Sequence, residues 1–208
     1  FHETNWVLTG SLFEPNSPLL SKFNNLAELV TPVATHSVKT TRLDDIAEIE
    51  DVDFIKIDIQ GGELAVFQNA LRHLPGVLLI QSEVEFVELY QGQPMFADVD
   101  IFLRKNGFQF HTFHGFGQRA FKPIIVNNDI NAGIRQHLWS DALYVRDWMH
   151  LDELDEIKLR KYAVLAHDVM HSYDLAHLVL AGLDSKTGSS LASAYLKRLT
   201  GAHEPSGS

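Results

Sequence analysis

The stretch Asp53 to Leu64, DFIKIDIQGGEL, constrains the chain more than any other. Its first half is short and apolar, with Phe54, Ile55, Ile57 and Ile59 interrupted by Lys56 and Asp58, the pattern of a strand buried within a parallel sheet. Gly61 and Gly62 turn the chain, and Glu63 opens a run with helical spacing through Leu64, Val66, Phe67, Ala70, Leu71 and Leu74. A strand, a glycine turn and a helix put Asp58, Gln60 and Glu63 at the carboxyl end of a strand, where open α/β sheets bind ligands.

The flanking sequence predicts further elements of an α/β domain. A strand is expected over Phe1 to Thr9, a helix from Ser17 to Leu29, an extended segment over Ser37 to Thr41 and a short helix around Leu43 to Ile49. Past Pro75 and Gly76, residues Val77 to Phe86 read as a second buried strand, with Glu83 and Glu85 pointing the same way near its end. A helix over Phe96 to Lys105 stops at Asn106 and Gly107, followed by strands over Phe108 to Phe113 and Ala142 to Val145 with a loop-rich stretch between them. This alternation predicts a parallel sheet with right-handed crossovers. The predicted divisions are an α/β domain over 1–148, a helical extension over 149–200, broken between Gly182 and Gly188, and a disordered polar tail over 201–208.

Composition narrows the chemistry. Among 208 residues the net charge is −10 and basic residues are not clustered, which argues against a nonspecific grip on nucleic acid. Without cysteine there is no disulfide, thiolate metal site or cysteine nucleophile, and a reducing compartment such as the cytoplasm is the expectation. No apolar run approaches the roughly 20 residues of a membrane span. Phe1 stands where a start methionine would, so the chain reads as a fragment or processed product.

The segments TTRLDDI (Thr40 to Ile46), DFIKIDIQGGEL, VFQNA (Val66 to Ala70) and EVEF (Glu83 to Phe86) resemble the FkbM-type methyltransferase family. QPMFADVDIFLRKNGF (Gln93 to Phe108) and WSDALYVRD (Trp139 to Asp147) resemble the later part of the same domain, so the likeness spans about Ser11 to Asp147. The resemblance implies a Rossmann-like class I methyltransferase sheet, S-adenosylmethionine as donor and a sugar or other small or glycan-linked hydroxyl as acceptor. The glycine-rich turn and ribose-binding acid that such a donor site needs are not evident upstream. Glu14-Pro15 has the look of the ribose acid, yet it stands only 44 residues before Asp58, too few for two further βα units. The domain is therefore expected to be truncated at its N-terminal side, with assembly or partner binding without catalysis as the rival role.

The resemblance places the end of the Asp58 strand opposite both donor methyl and acceptor. Asp58 is the first candidate to orient or deprotonate a hydroxyl, and its structural alternative is to cap the turn through Gly61 or Gly62. Glu85, with Glu83, is a candidate acid on the acceptor side, and His111 or His114 a candidate general base. Gln60, Glu63 and Glu14 are the candidate cofactor-binding residues. His167, Asp168, His171, Asp174 and His177 share helical spacing, but lack the HExxH arrangement, and no metal is expected. Gly115, Gly117 and Ala120 imitate a dinucleotide fingerprint, which Lys122 and Pro123 contradict where a helix would have to start.

Overall fold

The computed structural model describes residues 1–201, so most of the expected polar tail lies outside the described residues. The chain divides into two compact units, Phe1–Arg146 and a helical one from Asp147 onward.

In the first unit, strands β1 (His2–Thr4) and β2 (Pro32–Thr35) form a small antiparallel pair. Between them α1 (Ser17–Leu20) is far shorter than the helix predicted to Leu29. Asn24 bonds instead to the carbonyls of Ala120 and Ile124, and Asn25 adopts a left-handed φ of 55°, both of which divert the backbone from a helical path. Ser37 to Thr41 form no strand, and Leu43–Asp45 make a single 3-10 turn.

The principal sheet contains β3 (Phe54–Ile57), β4 (Leu79–Glu85), β5 (Phe108–Gln118) and β6 (His137–Arg146) in the order β3-β4-β6-β5. β3 and β4 are parallel, joined over one face by α2 (Glu63–Gln68). The sheet is mixed rather than parallel as the alternation predicts, because β6 lies antiparallel between β4 and β5. Residues 119–136 supply no crossover helix, and a parallel return would require one. The glycines of the false dinucleotide fingerprint lie within β5 rather than in a turn before a helix.

α2 also ends earlier than its apolar spacing suggests. Asn69 donates its side-chain amide to Ala65 O at 2.9 Å and gives its own carbonyl to Asp44 N at 2.9 Å, so the next helical turn loses its acceptor. α3 (Phe96–Lys105) matches its predicted bounds and carries Val99 and Leu103 inward. Phe67, Ala70, Val99 and Leu103 pack on Ile57, Ile80, Val84 and Tyr144 to cover one face of the sheet. Beyond the carboxyl ends of β3 and β4, a second cluster gathers Leu20, Phe23, Leu26, Val30, Leu89 and Tyr90 from the N-terminal segment and the stretch after β4. At the opposite end, Arg146 donates to the carbonyls of Val77, Leu74, Asn106 and Gly107 and lies 4.1 Å from the Phe108 ring centroid.

The second unit contains α4 (Glu156–Val164), a π turn over Leu165–Val169, α5 (Tyr173–Thr187) and α6 (Leu191–Thr200). α5 continues through Gly182, which packs on Leu151, and ends at Gly188 with φ +70°. Asp184 starts the next helix by accepting from the backbone of Leu191 and Ala192 at 2.8 and 2.9 Å. His167 is engaged by Tyr195 at 2.7 Å. Among the described residues no group of three or more acids and histidines is arranged around a metal position, and no helix is long and apolar enough to cross a membrane.

Candidate functional site

The turn after β3 is built on two successive left-handed residues, Gln60 with φ +58° and Gly61 with φ +97°. Gly61 is required twice over. Its φ disfavours any side chain, and a Cβ there would stand 3.1 Å from Cβ of the buried Gln93. Glu63, 3% exposed, reaches back to accept the Ile59 N–H at 2.7 Å and so ties the first turn of α2 to the strand end. Glu63, rather than Asp58, thus braces the turn. Asp58 instead accepts from the Gln60 side-chain amide at 2.7 Å.

Gln60 is held on four sides. Its Nε2 donates to Asp58 Oδ1 and to Glu83 Oε2, each at 2.7 Å. The Tyr90 hydroxyl lies 3.0 Å from its Oε1 and 2.8 Å from Thr9 O. Ser11 Oγ donates to its backbone carbonyl at 2.6 Å. Residues from separated parts of the chain thus converge on one glutamine.

Sheet register explains why the acids meet. Ile57 pairs with Ser82, which leaves Asp58 level with Glu83; Glu83 pairs with Asp141, and Asp141 with His114. One row of polar residues therefore crosses the four-stranded sheet at the end where β3 and β4 finish. Gln81 donates to Asp141 at 2.8 Å, and Lys56 lies 3.8 Å from the same carboxylate.

Burial and crowding perturb these carboxyls. Burial, followed by the charges of Asp58 and Glu85, pushes Glu83 up to about 10. Burial, followed by Glu63 and Asp58, pushes Glu85 up to about 8. Glu63 is also raised, chiefly by burial, although the Ile59 N–H opposes the shift. Burial and the neighbouring acids raise the Tyr90 phenol as well, so it stays a hydrogen-bond donor at neutral pH.

Two cavities adjoin this row. One, of about 260 Å³, has walls of Leu8, Leu20, Leu26, Val30 and Leu89 and a polar side formed by Asp58, Gln60, Glu83 and Tyr90. The other, of about 330 Å³, is lined by Asp58, Glu83, His114, Ser140, Asp141 and the glycines of β5. Asp58, Glu83 and Trp139 line both. Trp139 is fixed by Gly117, where any Cβ would fall 2.0 Å from the indole ring.

Of the residues singled out from sequence, Asp58 and Gln60 line these cavities, while Glu63 supports the turn from behind. Glu85 is 2% exposed and lines neither cavity. His111 falls at the register irregularity between Phe110 and Thr112, whereas His114 lines the second cavity. Glu14 is exposed, with its carbonyl bonded to Gln91 N at 2.8 Å, and also lines neither. Ser11, Tyr90, Trp139 and Asp141 escaped the sequence reading. Alternation along β6 marks Trp139 and Asp141 as neighbours on one face, but nothing local to Ser11 or Tyr90 links them to Gln60, 49 and 30 residues away.

The chain is 34% identical over 114 residues to the 2-O-methyltransferase NoeI of Sinorhizobium fredii, an alignment that covers 49% of this chain and 44% of that protein. The chain thus spans less than half the length of that curated relative. No solved structure matches it significantly. The family model described as the methyltransferase FkbM domain matches residues 3–110, more than half of the chain and the whole of the Asp58 turn, and on that match the chain belongs to the FkbM methyltransferase family.

Proposed function

We propose that the protein transfers a methyl group from S-adenosylmethionine to a hydroxyl of a sugar or another small or glycan-linked acceptor. The observation that carries this reading is the shared wall: Asp58 and Glu83 face an apolar-sided cavity and a polar one at the carboxyl ends of two parallel strands. Such a wall suits a reaction that joins two ligands at one point. The name of the relative, a 2-O-methyltransferase, supports oxygen as the acceptor atom. The parallel β3 and β4 with α2 across one face support a Rossmann-like class I sheet.

The residues present suit the reacting end of the donor. No lysine or arginine lines either cavity, and the carboxyls of Asp58 and Glu83 complement a cationic centre. Leu20, Leu26, Val30 and Leu89 offer an apolar surface beside them. S-adenosylmethionine, when bound, supplies an electrophilic methyl group carried on a positive sulfur. Asp58, the exposed member of the pair, accepts the hydroxyl proton as the acceptor oxygen gains the methyl. Glu83, neutral near pH 7 with its pKa pushed up to about 10 when no cation is near, ionises beside a positive centre. His114 and Asp141 orient the acceptor from the far side of the second cavity. We assign His114 rather than His111 to this role.

The test uses the full-length protein. Calorimetry should show S-adenosylhomocysteine binding, and Asp58→Asn should lower methyl transfer to hydroxylated glycans by about 10²- to 10⁴-fold with donor affinity retained. Full activity in Asp58→Asn removes Asp58 from the chemistry, and no binding of S-adenosylhomocysteine overturns the methyltransferase reading.

A further inference from the structure

We propose that Gln60 is a positioning residue that joins Asp58 and Glu83 into one hydrogen-bonded pair at the partition between the two cavities, its conformation preset by Ser11 and Tyr90. Only the catalytic consequence of the pair rests on the methyltransferase reading; the pair itself rests on geometry.

The inventory of Gln60 carries the argument. A glutamine amide has two N–H donors, and here one goes to Asp58 Oδ1 and the other to Glu83 Oε2, both at 2.7 Å. Its side-chain oxygen faces the Tyr90 hydroxyl at 3.0 Å, and its backbone oxygen is taken by Ser11 Oγ at 2.6 Å. Neither N–H is left to recognise a ligand, although the side chain lines the apolar-sided cavity. The amide is oriented with its nitrogen toward the two carboxyls and its oxygen toward the Tyr90 hydroxyl. Gln60 also holds a φ of +58°, a conformation a non-glycine residue adopts at a cost. Ser11 and Tyr90 offset that cost, and both are buried, at 1% and 2% exposure.

The pair gains from this arrangement in a specific way. Two adjacent carboxylates repel, and a crowded pair ordinarily holds a proton between them. Glu63 and Glu85 add to that pressure from the turn and from β4. Asp141 and His114 face the same cavity from β6 and β5, with Lys56 beside Asp141. A neutral amide donating to both acids stabilises their charged forms without adding a charge, against the direct contact between the two carboxyls that favours a shared proton. The proton acceptor then stays available in the wall between donor and acceptor.

The test is a carboxyl-detected NMR titration of the chain, with Asp58 and Glu83 assigned by Asn and Gln substitutions. The probing variants are Gln60→Gly, which accepts the left-handed backbone, and Tyr90→Phe, which removes only the hydroxyl. We expect Gln60→Gly to move the pair's proton-binding steps upward by about one pH unit, tenfold in proton affinity, and Tyr90→Phe to move them less in the same direction. Amide spectra that remain dispersed show that the variants are folded. Pair titrations unchanged in folded Gln60→Gly overturn the proposal. So does loss of S-adenosylhomocysteine binding in full-length Gln60→Gly with the pair's titration intact, since that would make Gln60 a ligand contact. Titrations that shift in a protein whose parent binds no S-adenosylhomocysteine support the pair and refute only the methyltransferase reading.

Discussion

Replacing Glu85 by glutamine should stabilise the first unit, and by an amount that grows with pH. Glu85 is 2% exposed and its carboxyl is pushed from 4.5 to about 8 by burial and by Glu63 and Asp58. The folded chain therefore retains a proton that the unfolded chain releases near pH 4.5. The stabilisation is fully present below the unfolded value and is lost as pH climbs through the folded one. Each pH unit inside that window costs about 1.4 kcal/mol. Between pH 5 and pH 7 the wild-type chain should lose about 2 kcal/mol on this account, allowing for a partial effect near the lower edge. Glutamine keeps the shape of the neutral acid and does not titrate. The advantage of Glu85→Gln over wild type should accordingly widen by about 2 kcal/mol between those pH values. Urea unfolding of both proteins at pH 5 and pH 7, followed by near-ultraviolet signals of the first unit, measures the difference. Comparing the two proteins cancels the titration of the remaining acids to first order. A constant difference across the two pH values would refute the reasoning, and a difference that narrows would reverse its sign.

Donor binding should displace a proton from the acidic wall, because a cation beside Glu83 favours its charged form. Calorimetry at pH 7 in buffers of unequal ionisation enthalpy should report release with full-length protein and S-adenosylmethionine, and less with the uncharged sulfur of S-adenosylhomocysteine. Arg146→Ala should cost the first unit about 3 kcal/mol, since four backbone carbonyls lose a charged donor, and Arg146→Lys should recover only part of it in urea unfolding. Gly61→Ala should cost about 2 kcal/mol or more, from a φ of +97° and a Cβ 3.1 Å from that of Gln93, read from the thermal midpoint.

Much of the Asp58 turn is legible from local chemistry. The alternation in DFIKIDIQGGEL located a strand end, the paired glycines located a turn, and Glu63 marked the helix start. Helix α3 was readable to the residue because its apolar face and its stop at Asn106 and Gly107 agree. Where periodicity and side-chain hydrogen bonding compete, the reading failed. Asn24, Asn25 and Asn69 divert backbone groups that helical spacing alone would keep.

Sheet topology shows the same division. A strand inserted antiparallel has the same alternation as a parallel one, so β6 was visible as a strand while its direction was not. The row of Asp58, Glu83, Asp141 and His114 exists only through register across four strands, and register is a property of pairing rather than of any one segment. Local sequence determined which residues end strands and open helices, because φ, ψ and side-chain alternation are set within a few neighbours. Tertiary structure alone decided that Gln60 is clamped by Ser11 and Tyr90 between two acids, because contacts across 49 and 30 residues, and the desolvation that raises Glu83 and Glu85, arise only when separate elements pack.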